Sequence, residues 1–309
     1  MNYSALVTAT LAAMLRQSSA LVTPALGESA SEQSGVINVG IEGYMLMGAV
    51  AAYAVAATTG NAWLGLGVGV LVGAAISLIH AYISVTLKLN QIISGIVLWL
   101  LGMGFSAYLF RTMGIKQEVA GFTAANIPML SKLPVVGPIL FQQNALFYIS
   151  LLLVFVYAFV QFRTTFGLIT KATGGNPLAV DMAGHSVSLI RYINILICGA
   201  MSGFGGAYLS LAVAHRFSEN MTAGRGFIAI CVVVFGRWNP LAILGGSFLF
   251  AGVDALQMQL QALSVAVPYP LLLMLPYVVT IAVLVGVTIF SKRTYMPRKL
   301  AIPYIKGEA

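Results

Sequence analysis

Charge is the scarcest property of this 309-residue chain. Asp, Glu, Lys and Arg make up 8% of it, against about 25% in soluble domains. Hydrophobic residues reach 59%, and mean hydropathy is +0.93. So few charges cannot cover that much apolar surface in water, which excludes a soluble globule. Cysteine is nearly absent as well: Cys198 and Cys231 both fall inside apolar runs. That leaves no zinc spacing and no disulfide framework, and helix packing accounts for both thiols. There is no Gly-x-x-x-x-Gly-Lys-Ser/Thr loop, so the chain is not expected to bind ATP itself. No Ser-His-Asp or His/Cys metal arrangement is present, so neither catalytic residues nor a metal site is expected. The first cation, Arg16, follows an apolar stretch instead of preceding it. That order suits a first helix with an outward N-terminus better than a signal peptide.

What is present is a series of apolar runs. Spans of about 20 residues cross a membrane, and the clearest runs are 92–110, 145–162 and 267–290, all uncharged. Others hold one polar interruption each: 36–57 has Glu42, 63–87 has His80, 189–214 has Arg191 and 241–263 has Asp254. Residues 3–15 are short for a crossing, and 227–236 reads as a broken or partial helix of the kind that lines transporter cavities. The sum is an all-α bundle of about nine spans (8–10) in one transmembrane domain, 1–309. Placing the C-terminal tail (291–309) in the cytoplasm puts eleven of the sixteen Lys and Arg inside, among them Arg16, Lys88, Arg163, Lys171, Arg191 and Arg237. It leaves Arg111, Lys116, Lys132, Arg216 and Arg225 outside. This bias predicts an outward N-terminus and a cytoplasmic C-terminus. The +8 charge is therefore a topology signal, not a nucleic-acid patch.

Two loops interrupt the spans. Residues 111–144, with Pro128, Pro134 and Pro138, read as an irregular external loop. Residues 163–188 read as a cytoplasmic loop containing a short helix. Asn176 is placed to cap it, Pro177 to open its first turn and Gly184 to end it. Glycines four apart (Gly65, Gly69, Gly73; Gly199, Gly203) predict close helix crossings.

Ionisable groups at membrane depth are usually functional. Asn38 and Glu42 share a helix face at i, i+4, and Glu42 reads either as a pathway residue or as a carboxylate that caps a helix or pairs with Arg. Asp254 with Gln257 reads as a polar contact between helices, and His80 as a satisfied interior histidine. Gln91 and Ser94 open one span, and Phe227 follows a glycine-rich start. With Asn38 and Glu42 they form the candidate substrate pathway. An ion-coupled secondary transporter would have to use Glu42, Asp254 and His80 for coupling. A membrane-embedded enzyme lacks any clustered catalytic set.

Three stretches carry a family resemblance: Ser34-Gly-Val-Ile-Asn-Val-Gly-Ile-Glu-Gly-Tyr-Met-Leu-Met-Gly48, Phe166-Gly-Leu…Gly-Gly-Asn-Pro-Leu-Ala…Ala-Gly184, and Gly226-Phe-Ile-Ala-Ile…Phe-Gly-Arg-Trp-Asn-Pro240. Together and in order, they resemble permeases of ATP-binding cassette (ABC) importers for branched-chain amino acids, simple sugars and nucleosides. The tail Ile302-Pro-Tyr-Ile-Lys-Gly307, Leu133-Pro-Val-Val-Gly137 and Asn90-Gln-Ile-Ile-Ser-Gly95 look most like the shorter permease of nucleoside importers that use a basic-membrane-protein-type binding lipoprotein. Gly175 and His185 depart from the family's usual Glu and Ile.

The resemblance implies a type II-like importer permease in a bacterial inner membrane. Its partners would be a second related permease, ABC ATPase subunits that bind the ATP and Mg, and an extracytoplasmic binding lipoprotein. A simple sugar, or another small polar solute, is the alternative cargo. It also makes the 163–188 loop the coupling element. Asn176, Pro177, Leu178, Val180, Asp181 and Met182 would then dock an ATPase, with Leu178, Val180 and Met182 as its apolar surface.

Overall fold

Lipid offers peptide groups no partners, so a spanning chain of this composition must bond its backbone internally as helix. The computed structural model describes residues 3–115, 117–124, 131, 136–262, 269–290 and 295–306. Among them regular structure is helical, and the only strand-like feature is an isolated bridge between Ala124 and Asn144. The helices are α1 Tyr3–Gln33, α2 Ile41–Thr59, α3 Ala62–Ala81, α4 Gln91–Met113, α5 Val136–Leu140, α6 Ala145–Arg163, α7 Thr165–Gly175, α8 Pro177–Met182, α9 Val187–Tyr208, α10 Arg225–Phe235, α11 Pro240–Ala262 and α12 Tyr269–Phe290. Helices α3 and α9 each end in a π-helical turn, Tyr82–Thr86 and Leu209–Val213. Lys116, Lys132, Lys292 and Arg293, and Pro128 and Pro134, lie outside the described residues.

Among the described residues six helices are long and apolar enough to cross a membrane, where the sequence suggests about nine: α2, α3 with its π turn, α4, α6, α9 with its π turn, and α11. The other three differ for separate reasons. Helix α10 has 11 residues, about 16 Å at 1.5 Å per residue, roughly half a bilayer core. Helix α12 has 22 residues, a span's length, with Pro276 inside. The first helix corrects the reading most. It does not stop near residue 15 but runs 31 residues to Gln33, so Arg16 lies within a helix and not in a loop beyond one.

Its second half is polar in sequence yet buried. Ser19, Thr23, Glu28, Ser29, Ser31 and Glu32 are all at most 1% exposed. Ser19 meets Ser150 of α6 at 2.8 Å, and Glu32 accepts the Trp238 indole N–H at 2.6 Å. Hydropathy left these residues unassigned because it cannot see partners supplied by distant helices.

The expected glycine crossings are present. A Cβ on Gly48 of α2 would lie 2.7 Å from the Gly203 Cα of α9, and one on Gly69 of α3 would lie 2.8 Å from the Gly48 carbonyl. Three helices therefore meet backbone to backbone, a distance only glycine permits. One apolar core gathers residues of α2 and α9, including Met45, Tyr53 and Tyr208. A second joins α1, α10 and α11 through Leu26, Val232 and Phe250.

The 163–188 loop contains more helix than expected. Helix α7 precedes the predicted one, and Asn176 ends α7 and caps α8, its side chain accepting the Ala179 N–H at 3.2 Å. Gly184 follows with φ +87°, the left-handed conformation expected just beyond a helix end. One part of the apolar-surface expectation is corrected. Val180 is 5% exposed and Pro177 is buried. Val180 packs with Val187 and Ile190, because a two-turn helix lying on α9 must bury one of its sides. Met182 faces outward at 81% exposed.

Candidate functional site: two interrupted helices

The stretch between α1 and α2 is the centre of the molecule's polar chemistry. The sequence reading began a span at residue 36, but the helix starts at Ile41, and residues 34–40 are extended or turn. Non-helical backbone inside a bundle leaves donors and acceptors that must be paired, and here most are traceable. Arg191 Nε donates to the Ser34 carbonyl at 3.2 Å. The Ala301 N–H donates to the Gly35 carbonyl at 3.2 Å. Ser31 accepts the Val36 N–H through its carbonyl (3.1 Å) and donates its hydroxyl to the Val36 carbonyl (2.8 Å). Gln91 Oε1 accepts the Ile37 N–H at 3.0 Å. His80 Nε2 lies 3.2 Å from the Ile37 carbonyl, and its Nδ1 lies 3.0 Å from the Ser94 hydroxyl. Glu28 Oε1 accepts the Asn38 N–H at 2.8 Å.

Asn38 then serves the segment itself. Its Oδ1 accepts from the Gly40 N–H and the Tyr44 hydroxyl, each at 3.1 Å, and its amide nitrogen points at Cys198 Sγ at 3.6 Å. The Cys198 thiol donates to Glu28 at 3.4 Å.

The second interruption is the start of α10. An α-helix leaves its first N–H groups unpaired, and α10 begins inside the bundle with Gly224 as its N-cap and no side-chain cap of its own. Glu42, from the first turn of α2, supplies the missing acceptor. Its Oε1 accepts the Thr222 hydroxyl (2.5 Å) and the Gly224 N–H (2.7 Å), and its Oε2 accepts the Gly226 N–H (2.6 Å). A carboxylate at this end also complements the helix dipole. Glycine is required at 226, since a Cβ there would lie 2.6 Å from the Glu42 nitrogen. The capping alternative for Glu42 is thus what the structure displays, with the capped helix 180 residues away in sequence. Arg225 follows and donates to Asp254 of α11 at 3.2 Å, both side chains mostly buried. Arg225, Asp254 and Gln257 line a cavity of about 340 Å³.

The five pathway candidates therefore divide. Asn38, Glu42, Gln91 and Ser94 are 0%, 1%, 3% and 5% exposed, and the structure gathers them around the two interruptions. Phe227 is half-buried and sets its ring edge-on against Trp99 of α4, centroids 5.0 Å apart at 86°. Sequence reasoning missed Trp99, Glu28 and Arg191. The signal available for Arg191 was a lone cation at the start of an apolar run. It is 1% exposed and also donates to the Ile302 carbonyl at 3.2 Å, tying the C-terminal tail to the 34–40 segment. The tail reaches the α7–α8 hairpin too, through the Lys299 N–H to the Gly174 carbonyl (2.9 Å) and the Tyr304 hydroxyl to Asp181 (3.1 Å).

Residues 10–287 match the family described as branched-chain amino acid transport system, permease component. A Haloferax volcanii protein provisionally named a glucose ABC transporter permease is 40% identical over 260 residues, covering 83% of this chain and 79% of its own. The guanosine ABC transporter permease protein of Bacillus subtilis is 34% identical over 303 residues, 93% of each chain. A nucleoside ABC transporter permease protein of Lactococcus lactis is 32% identical over 314 aligned positions, 96% of this chain and 97% of its own.

Proposed function

We propose, from the premise that this chain belongs to the branched-chain amino acid transport permease family, that it is the membrane subunit of an ATP-driven nucleoside importer. The observation that carries the cargo is the near end-to-end similarity to two permeases named for guanosine and nucleosides. A sugar is the second reading, favoured by the glucose-named relative at higher identity over a shorter stretch. Uptake of labelled guanosine against labelled glucose, in cells expressing the complete transporter, separates them. Guanosine uptake that unlabelled glucose cannot compete supports the first.

In this proposal the chain pairs with a second related permease, ABC ATPase subunits bind ATP and Mg, and an external lipoprotein delivers cargo. The eight long helices, together with α10 and the 214–224 segment that leads into it, are taken as nine crossings of a bacterial inner membrane, with the N-terminus outside and residues 295–306 inside. With Arg16 set aside as part of α1, the bias of ten cations inside to five outside supports that orientation. Single cysteines at Glu118 and Lys306, both exposed, should react with an impermeant thiol reagent from outside and inside respectively. Labelling of position 306 from outside would reverse the orientation.

Phe227 and Trp99 form the wall of the pathway, and Asn38, Glu42, Gln91 and Ser94 hold the interrupted helices behind it. A nucleobase needs an aromatic face in a largely apolar site. Phe227→Ala should cut nucleoside uptake by roughly tenfold or more, since an aromatic–base contact is worth about 1–3 kcal/mol. Assembly should survive, because the ring is only partly buried. Uptake at the unmodified level would move the pathway elsewhere.

A further inference from the structure

A cavity of about 810 Å³ lies away from the interrupted helices. It sits between the ends of α6 and α7 and the turn joining α10 to α11, and Lys171, Arg237, Phe162, Trp238 and Tyr295 line it. Lys171 Nζ stands 4.3 Å from the Phe162 ring centroid, and the Arg237 guanidinium stands 5.1 Å from that of Tyr295. Among the described residues neither cation has a carboxylate partner. Burial pushes the Lys171 ammonium below the ordinary lysine range. Arg237 and Trp238 are both left-handed, φ +51° and +57°, a conformation that costs bulky residues about 1–2 kcal/mol each. The Trp238 carbonyl accepts from Gln33 (3.1 Å) and Gln161 (2.9 Å), and these bonds hold the turn that presents Arg237 to the cavity.

Below the cavity runs an apolar track. On α6, Phe155, Phe159 and Phe162 fall at i, i+4 and i+7 and are 55%, 63% and 53% exposed. On α11, which packs against α6, Leu241, Gly245 and Leu249 present a matching exposed row. Two unpaired cations flanked by aromatic rings, at the head of an apolar track about 11 Å long, fit a lipid: headgroup phosphate above, the upper part of the acyl chains below.

We propose that this cavity binds the headgroup of an anionic phospholipid, with Lys171 and Arg237 holding the phosphate and the α6–α11 track holding the acyl chains. The inference goes beyond the transport reading and does not depend on the cargo.

The test uses the purified full chain in phosphatidylcholine nanodiscs, titrated with phosphatidylglycerol, with bound lipid counted by mass spectrometry and unfolding followed by temperature. Phosphatidylglycerol should be retained and should raise the unfolding temperature. Lys171→Gln with Arg237→Gln should weaken retention about 30-fold, from about one kcal/mol per cation at an anionic surface. Lys171→Arg with Arg237→Lys should keep it, which separates charge from misfolding. Lys306→Gln, a cation elsewhere on the same end, should also keep it. Three results overturn the proposal. One is equal retention of phosphatidylcholine, or retention unchanged in the double Gln variant. Another is displacement of the lipid by inorganic phosphate alone at millimolar concentration, which makes the site one for free phosphate. The third is read by copurification from cells expressing the complete transporter: a double Gln variant that loses the ATPase partner there while keeping the lipid in nanodiscs makes the cavity a protein interface.

Discussion

Glu42→Ala should cost at least about 3 kcal/mol of stability and leave little folded protein in the membrane. Three donors converge on that carboxylate, the Thr222 hydroxyl and the N–H groups of Gly224 and Gly226, at 2.5–2.7 Å. The site is 1% exposed, so no water replaces the lost acceptor, and each orphaned buried group costs about 1–3 kcal/mol. The loss is a large fraction of a typical total of about 5–15 kcal/mol. Glu42→Gln should cost roughly half as much. Its remaining oxygen can still accept from Thr222 and Gly224, but its amide N–H₂ opposes the Gly226 N–H. Thermal unfolding of purified variants ranks the three proteins. An alanine variant that unfolds with the unmodified chain would remove the cap from the account. A Gln variant of undiminished stability that no longer transports would return Glu42 to the pathway.

The second large effect belongs to α8. If this hairpin passes nucleotide-driven movement to the membrane helices, its outward side must be buried in a partner. That side is Ala179 and Met182, both exposed, and not Val180. Leu178 is only half-buried, but it lines a cavity with Ile302 and Tyr304 of the tail, so a charge there would disturb the chain's own packing. Ala179→Asp with Met182→Asp should leave insertion and permease pairing intact. It should weaken ATPase association at least about 100-fold, the cost of about 3 kcal/mol for stranding charge in an apolar interface. Copurification of the ATPase and substrate-stimulated ATP hydrolysis are the readouts. Normal recovery of both would place the dock elsewhere.

Much of the architecture was legible because lipid simplifies the code. Five of the expected spans, those on α3, α4, α6, α9 and α11, match helices to within a few residues at nearly every end, since an uncharged run of span length has few other solutions. The Asn176–Pro177–Gly184 signals located α8 because capping is local chemistry. What escaped the sequence was everything decided by long-range pairing. The 16–33 half of α1 could not be assigned because Ser19, Glu28 and Glu32 find partners on α6, α9 and the α10–α11 turn. The site was half legible for the same reason. Asn38, Glu42, Gln91, Ser94 and His80 stood out as polar groups in apolar runs, and the structure brings all five to the two interruptions. Their spacing could not show that they serve the backbone of residues 34–40 and the end of α10.

The most direct test of the central claim is transport by a defined assembly. The chain, its sister permease and the ATPase subunits are reconstituted into liposomes with the binding lipoprotein, and labelled guanosine uptake is measured with ATP, without ATP, and under an imposed proton or sodium gradient. The account predicts uptake that requires ATP and every partner and that no ion gradient supports. Guanosine accumulation by the chain alone, driven by a gradient, would contradict it.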